Sequence, residues 1–270
     1  MITFKDYSYR YKSSPRFALE GLSVEIRAGE VFSVVGSSEA GKTTFAYAAA
    51  GLLAKHFPGS KAFGSIELST SANAGDPANI GFVFQDTAIQ LSGITETVEE
   101  EIAFSLEQFG IPEAVIRERT EEQLSMFDMH HLRNRHPKSL SGGETQILAI
   151  AAEAAKHPRV FILDEPTQAL DSKNIRLLAG AIREWKKSAA IIITEERIDL
   201  TYSVGDRILF LEHGSPRFLG SLDEMVNSHL DFSTLELPEW ISAQLLLERR
   251  VVSTSLKQSV RWLKEYRTSV

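Results

Sequence analysis

The residues whose types and spacing are best suited to chemistry lie between an apolar run and a helix-forming run. Positions 36–43 match the phosphate-loop pattern G-x-x-x-x-G-K-[ST] at every fixed position. Glycines let backbone N–H groups turn inward around a phosphate, and the N-terminus of the following helix adds a positive dipole end. We therefore expect nucleotide phosphates to contact this segment, at Gly36, Ser37, Ser38, Glu39, Ala40, Gly41, Lys42, Thr43 and Thr44.

Two side chains of this loop have separate expected roles. Lys42 supplies a point charge to the β- and γ-phosphates, and the Thr43 hydroxyl is a ligand for Mg²⁺. The alternative is an ordinary glycine-containing turn between a strand and a helix. Because strand, loop, lysine, hydroxyl and helix all occur in register, the sequence predicts a site for ATP and Mg²⁺.

A second candidate for chemistry is the acidic pair Asp164 and Glu165, which ends the apolar run 160–163. Acids at the C-terminal end of a parallel strand lie where open α/β sheets bind ligands. We expect Asp164 to hold the Mg²⁺ shell and Glu165 to polarise the attacking water as a general base. Taken alone, the two acids are equally consistent with the N-cap of a helix.

The elements that must position these residues form an α/β pattern. Three short apolar runs, 31–35, 160–163 and 190–193, predict buried parallel strands with helical segments between them. Residues up to about 30, together with 64–68 and 80–84, alternate more like antiparallel strands. From 97 to 157 the pattern turns helical, and the capping-box sequence at Thr97 marks one helix start.

Bulk composition narrows the class of protein. A chain of 270 residues accommodates one large core and a small appended domain. The net charge of −7, without a basic block, argues against a nucleic-acid partner. There are no cysteines, which excludes disulfides and thiolate sites, and the longest apolar stretches are far shorter than a membrane span. We expect a protein that serves a membrane, if at all, from outside the bilayer.

Positions 140–144 read Leu-Ser-Gly-Gly-Glu, which resembles the signature motif of ABC ATPases. Nearly the whole chain then lines up with that family. The resemblance implies an α/β P-loop NTPase (RecA-like) core with an antiparallel β subdomain, a helical signature subdomain and a small C-terminal helical extension. The implied boundaries are 1–226 for the nucleotide-binding domain, about 86–157 for its helical subdomain, and 227–270 for the extension.

The same resemblance implies roles for further residues. Gln85 is the glutamine that links the metal and the transport partner, and Tyr11 stacks on adenine. Ser141, Gly142 and Gly143 close over the γ-phosphate held by the opposite subunit, so the family implies a head-to-tail dimer of ATPases. By their chemistry alone, a serine and two glycines that open a helix form an anion-binding N-terminus. An ordinary N-cap would explain only Ser141.

A narrower resemblance is to the ATPases of energy-coupling-factor transporters, which import vitamins or metals. Gln90 follows Gln85 as in that group, and the segments 98–104, 109–112 and 237–239 are similar to its subdomains. That resemblance implies a peripheral pair of ATPases on the cytoplasmic face of the cell membrane. The partners would be a second ATPase, identical or distinct, a transmembrane T component and a substrate-binding S component. The alternatives are an importer of another class and a nucleotide-binding regulatory subunit that scarcely hydrolyses ATP.

One departure from the family pattern affects catalysis. Glu195 occupies the place of the switch histidine, which would donate a hydrogen bond to the γ-phosphate. An ionised glutamate cannot donate, so it must swing away, bind through a cation or water, or take up a proton. The alternative is a solvated residue beyond the strand. We hypothesise that this chain contributes a weakened catalytic site and that its partner ATPase supplies an intact one.

Overall fold

The structure is a computed structural model that describes residues 1–69, 80–226 and 228. Its strands are β1 (Ile2–Arg10), β2 (Leu19–Ile26), β3 (Val31–Val35), β4 (Lys61–Leu68), β5 (Ile80–Val83), β6 (Val160–Asp164), β7 (Ala190–Glu195), β8 (Arg207–Glu212) and β9 (Ser215–Gly220). Its α-helices are α1 (Lys42–Ala49), α2 (Leu53–His56), α3 (Val98–Glu107), α4 (Glu113–Met126), α5 (Gly142–Ala154), α6 (Ser172–Trp185), α7 (Asp199–Val204) and α8 (Leu222–Val226). The predicted α/β class is confirmed.

The strands form two sheets. Strands β2, β1 and β4 make an antiparallel sheet in that order, as the alternation before residue 30 and at 64–68 predicts. The larger sheet has the order β5-β6-β7-β3-β8-β9; all its neighbours are parallel except β8 and β9. The three predicted parallel strands at 31–35, 160–163 and 190–193 are its β3, β6 and β7.

The prediction of an antiparallel strand at 80–84 is wrong. Residues 80–83 form the edge strand β5 of the parallel sheet, where Ile80 pairs with Val160 and Val83 with Leu163. The sequence signal is weak because four residues are too few to separate an alternating strand from a buried one. Gly81 also lies against Pro158 and Phe161, which leaves no space for a side chain at this position.

The larger sheet separates two hydrophobic cores. On β6, Phe161 and Leu163 face the helices α3 to α7, whereas Val160 and Ile162 face the antiparallel sheet and α1. Successive residues of a strand point to opposite faces, so a strand buried on both faces is apolar at every position. This explains the continuous apolar runs and holds the C-terminal ends of the central strands in one fixed row.

The helical segment between residues 97 and 157 contains α3, α4 and α5. The predicted capping box is present at Thr97, whose hydroxyl accepts from the Glu100 N–H while the Glu100 carboxylate accepts from the Thr97 N–H. The helix that follows the phosphate loop, α1, ends at Ala49, and Gly51 beyond it adopts φ 71°. Residues 70–79 and the expected C-terminal extension, apart from residue 228, lie outside the described residues. In the described ranges, no helix is long and apolar enough to cross a membrane.

Candidate active site

The phosphate loop lies between β3 and α1, and two of its glycines are required by the surrounding backbone. At Gly41, φ is 105°, and a Cβ would lie 2.5 Å from the Ala18 carbonyl oxygen. A Cβ on Gly36 would lie 2.5 Å from the Leu211 carbonyl oxygen and would collide with it. Ala18 directly precedes β2 and Leu211 lies in β8, so backbone from neighbouring elements restricts both positions to glycine.

Helix α1 begins at Lys42, directly after this loop. The first four N–H groups of an α-helix have no intrahelical partner, and the helix dipole places partial positive charge at the same end. No acidic side chain lies in the first turn of α1 to satisfy these groups. The helix start therefore offers an anion site to a phosphate.

Lys42 is the central cation of the site. Its side chain is only 4 % exposed, and its ammonium donates to the carbonyl oxygens of Gly36 at 3.0 Å and Ser37 at 2.9 Å. Two carboxylates also contact the ammonium, from Glu165 at 3.3 Å and Glu196 at 3.4 Å. These acceptors hold the buried ammonium in place. In this position it can bind a phosphate, which carries more negative charge than a carboxylate.

Asp164 is the last residue of β6 and is 1 % exposed. Its Oδ1 accepts from the hydroxyl of Thr43 at 3.2 Å and from the hydroxyl of Thr194. Burial raises the pKa of this carboxyl, and the two hydroxyls oppose that rise. Among the described residues, its buried Oδ2 has no hydrogen-bond partner. An orphaned carboxylate oxygen beside a hydroxyl is a donor set that fits Mg²⁺, a cation that prefers oxygen ligands.

Glu165 follows at the strand end in a left-handed backbone conformation, with φ 49°. Its N–H donates to the carbonyl oxygen of Thr194 at 3.0 Å and to the Thr194 hydroxyl at 3.1 Å, which holds this unusual conformation. The Gln85 side-chain amide donates to its Oε2 at 2.9 Å. Burial raises the pKa of the Glu165 carboxyl, and the nearby Lys42 opposes the rise. The alternative of a helix N-cap is wrong, because α6 begins at Ser172 and is capped by Asp171.

Lys42, Gln85 and Glu165 open into one cavity of about 640 Å³, whereas Asp164 does not line it. The structure thus brings together most of the predicted site residues, with these lining the cavity: Tyr11, Ser38, Glu39, Gly41, Lys42, Thr43, Thr44, Gln85 and Glu165. The Tyr11 hydroxyl hydrogen-bonds to the Thr44 hydroxyl at 3.0 Å, and its ring makes edge contacts with Tyr9 and Phe57. Stacking of Tyr11 on adenine stays a prediction.

Glu195 is not a solvated residue, so that alternative is wrong. It is the last residue of β7 and 4 % exposed, and its Oε1 accepts from the N–H of Thr167 at 3.2 Å. Burial raises the pKa of this carboxyl to about 8, with a further rise from the charge of Glu165. Near neutral pH the carboxyl is therefore mostly protonated. Of the outcomes considered for a glutamate at this position, proton uptake is the one that the geometry favours.

Replacing Glu195 with glutamine should change how protein stability depends on pH. Since the folded-state pKa lies above the ordinary value of 4.5, the native state binds an extra proton. The stabilisation from that proton is complete below pH 4.5 and is lost as the pH rises through about 8. The variant should therefore gain roughly 3 kcal/mol of unfolding free energy relative to wild type between pH 5 and pH 9. Urea unfolding at both pH values measures this difference.

The matched control for that experiment is Glu118→Gln, the same chemical change on the exposed surface of α4. Its stability relative to wild type should stay the same across the pH range. If the unfolding free energy of Glu195→Gln followed the same pH dependence as that of the control, burial of a protonated carboxyl would be contradicted.

The signature residues lie elsewhere in the chain. Ser141 is the N-cap of α5 and forms a capping box with Glu144, so the N-cap interpretation is locally right. Gly143 lies close to the Ala169 carbonyl oxygen, which a Cβ would approach to 2.9 Å. Ser141 and Gly143 line a separate cavity of about 470 Å³ that shares no lining residue with the first. Within one chain the signature motif therefore does not join the phosphate loop.

Two residues that contact Lys42, Asp164 or Glu165 directly, Thr194 and Glu196, were not predicted as site residues from the sequence. Thr194 anchors both Asp164 and Glu165, and Glu196 contacts Lys42. Both belong to the run Thr-Glu-Glu at the C-terminal end of β7. The strand-end rule that identified Asp164 and Glu165 applies equally to this run and could have identified them.

Gln90, one of the residues that carry the resemblance to energy-coupling-factor ATPases, has a clear structural role. Its Oε1 accepts from the N–H of Phe84 at 3.1 Å, and its amide donates to the carbonyl oxygen of Phe82 at 2.7 Å. These two bonds close the backbone loop that contains Gln85. They therefore fix the position of Gln85 relative to the end of the edge strand β5.

Comparisons with known proteins agree with this geometry. Residues 19–168 match the ABC transporter family profile. An ABC transporter ATP-binding protein of Methanosarcina acetivorans is 38 % identical over 88 % of this chain and 46 % of its own length. The chain thus spans about half the length of some of the curated relatives that it matches. The energy-coupling factor transporter ATP-binding protein EcfA1 of Thermotoga maritima is 34 % identical over 88 % of this chain and 87 % of its own.

A solved structure has a similar fold. The dimeric ATP-binding cassette MJ0796, in a post-hydrolysis state bound to ADP and Pi, superposes with a TM-score of 0.68. It is 26 % identical in sequence and covers 82 % of this chain and 99 % of its own.

Proposed function

Since the chain belongs to the ABC transporter family and carries its ATPase domain, we propose that it binds and hydrolyses MgATP to drive import across a membrane. The observation that carries this proposal is the convergence of Lys42, Asp164 and Glu165 at one edge of the parallel sheet. In this arrangement the lysine and the start of α1 hold the phosphates. Glu165 faces the same phosphate site, where it acts as the general base.

The chain's own residues account for the chemistry of hydrolysis. Thr43, Gln85 and Asp164 would hold Mg²⁺, whose charge offsets the negative charge that develops on the transferred phosphoryl group. Glu165 accepts a proton from the attacking water, and the raised pKa of its carboxyl brings it closer to neutral pH, which suits a general base. Gln85 orients that carboxylate through its amide hydrogen bond. Lys42 stabilises the β- and γ-phosphate oxygens.

The site is completed by a second ATPase subunit. The signature residues Ser141 and Gly143 line their own cavity, apart from the phosphate loop of the same chain. In a head-to-tail dimer each signature would cover the nucleotide of the other subunit, and ATP would favour the closed pair. The dimeric state of the similar cassette supports this arrangement.

A membrane partner of the energy-coupling-factor kind is the finer proposal. The similarity to EcfA1 supports it. On the surface, Ile89 and Ile94 are 76 % and 71 % exposed, and the residues 90–92 between them in sequence help to line a groove of about 290 Å³ together with Phe104 and Phe109. Exposed apolar side chains beside a groove suit a helix of a partner protein. The substrate would be a vitamin or metal captured by another component, and the chain would lie peripherally at the cytoplasmic face.

We further propose that the catalytic site of this chain is weakened. Glu195 is protonated near neutral pH, but its side chain contacts the Thr167 N–H and does not line the phosphate cavity, so in this position it donates no hydrogen bond to a γ-phosphate. The rival function, a nucleotide-binding regulatory subunit that scarcely hydrolyses ATP, rests on the same residue. The position of Glu165 beside Lys42 argues against that rival.

The decisive experiment is affinity purification of the chain from membranes, identification of the chains that accompany it, and an ATPase assay of that assembly. Recovery of a second ATPase and an integral membrane protein, with measurable turnover, would support the proposal. The Glu195→His variant of the assembly should turn over ATP several-fold faster. Unchanged turnover would refute the weakened site, and a chain recovered without membrane partners would refute the transport role.

A further inference from the structure

Glu196 is an acidic residue of the site that contacts Lys42 and that the mechanism does not use. It follows Glu195 at the end of β7, where successive side chains point in opposite directions. Glu195 turns toward Thr167 and is buried, whereas Glu196 lines the phosphate cavity and is 40 % exposed. It also lines a neighbouring cavity of about 420 Å³, so its side chain has space on both sides.

The contact that Glu196 makes is with the phosphate-loop lysine. Its Oε1 lies 3.4 Å from the Lys42 ammonium, and this is its one ion pair within the described ranges. Glu165 contacts the same ammonium at 3.3 Å but is also held by Gln85 and by its own backbone bonds. Glu196 is therefore the carboxylate that can leave Lys42 most easily.

We propose that Glu196 determines how the site discriminates between nucleoside di- and triphosphates. It occupies a face of the Lys42 ammonium that a γ-phosphate requires. A γ-phosphate must displace this carboxylate from the lysine and then lie close to its negative charge. A diphosphate brings only its β-phosphate to Lys42, from the start of α1, so it needs one face of the ammonium and leaves the Glu196 contact in place. Glu196 thus weakens triphosphate binding more than diphosphate binding.

The inference rests on the proposed nucleotide-binding function and adds a specificity-determining residue to it. The test is Glu196→Gln, which removes the charge and keeps the shape of the side chain. Binding of Mg²⁺-ADP and of a non-hydrolysable ATP analogue with Mg²⁺ is measured by calorimetry on the full chain. We expect the affinity for the triphosphate to rise about three- to fivefold, and the affinity for ADP to change less than about twofold.

Salt dependence provides a second readout. Because Glu196 is partly exposed, its repulsion of the γ-phosphate should weaken as ionic strength increases. The difference in triphosphate affinity between wild type and variant should therefore shrink as the salt concentration rises from about 50 mM to about 500 mM. The matched control is Asp199→Asn, which removes a charge from the neighbouring cavity, where Asp199 pairs with Arg197 at 3.1 Å. This control should leave the ratio of the two affinities at the wild-type value.

The outcomes separate the inference from the function on which it rests. Equal increases for both nucleotides, or no change in either, would overturn the role of Glu196 while nucleotide binding stands. A wild-type chain that binds neither nucleotide would overturn the proposed function and this inference with it.

Discussion

Replacing Glu165 with glutamine should lower ATP turnover by about a hundred- to ten-thousand-fold, the range that a positioned general base contributes. Glutamine keeps the shape of the side chain and its hydrogen-bond capacity but accepts no proton from water. In the wild-type chain the Glu165 carboxylate is also one of two that contact Lys42, at 3.3 Å. Loss of that charge should leave nucleotide affinity unchanged or raise it, because a competing anion is gone. Turnover and nucleotide affinity should therefore separate in this variant.

The measurement is steady-state phosphate release by the assembled complex, together with calorimetric binding of Mg²⁺-ATP. Glu118→Gln on the surface of α4 is the matched control and should behave as wild type in both assays. If Glu165→Gln retained turnover within about threefold of wild type, general base catalysis by this residue would be refuted. If both affinity and turnover fell together, Glu165 would have a binding role instead.

Replacing Lys42 with alanine should have the largest effect on nucleotide binding. Hydrogen bonds to charged groups contribute about 1.5–3 kcal/mol each, so losing one such donor to the phosphates should weaken binding about ten- to hundredfold. The side chain is 4 % exposed, so water replaces it poorly. Turnover should fall to background, because phosphate charge in the transition state would lose its nearest cation.

Folding must be checked in this variant, because removing Lys42 leaves Glu165 without its cation. Circular dichroism melting establishes whether the fold survives, and labelled ATP titrated with magnesium measures the affinity. Lys187→Ala is the matched control, since Lys187 is 70 % exposed and forms a surface pair with Glu184. Saturable binding by a folded Lys42→Ala variant at wild-type affinity would contradict the assigned phosphate site.

The sequence by itself determined the features that depend on near neighbours. The phosphate loop, the strand before it, the capping box at Thr97 and the N-cap at Ser141 all involve residues a few positions apart. The required residue types are read directly from such segments, because glycine conformation, helix dipoles and side-chain caps act over one or two turns. The acidic pair Asp164 and Glu165 was also recognisable, since a strand end in a parallel sheet is a known ligand position.

Only the tertiary structure decided features that depend on distant partners. Ile80 pairs with Val160, and no local pattern specifies that parallel partner. Burial of Glu195 comes from its contact with Thr167, and the sequence could not separate this buried carboxyl from a solvated one. The reason is that the pKa of a carboxyl depends on desolvation and on charges brought close by folding. The approach of Glu196 to Lys42 was missed for the same reason, because a contact across 154 positions follows from the register of β3 and β7.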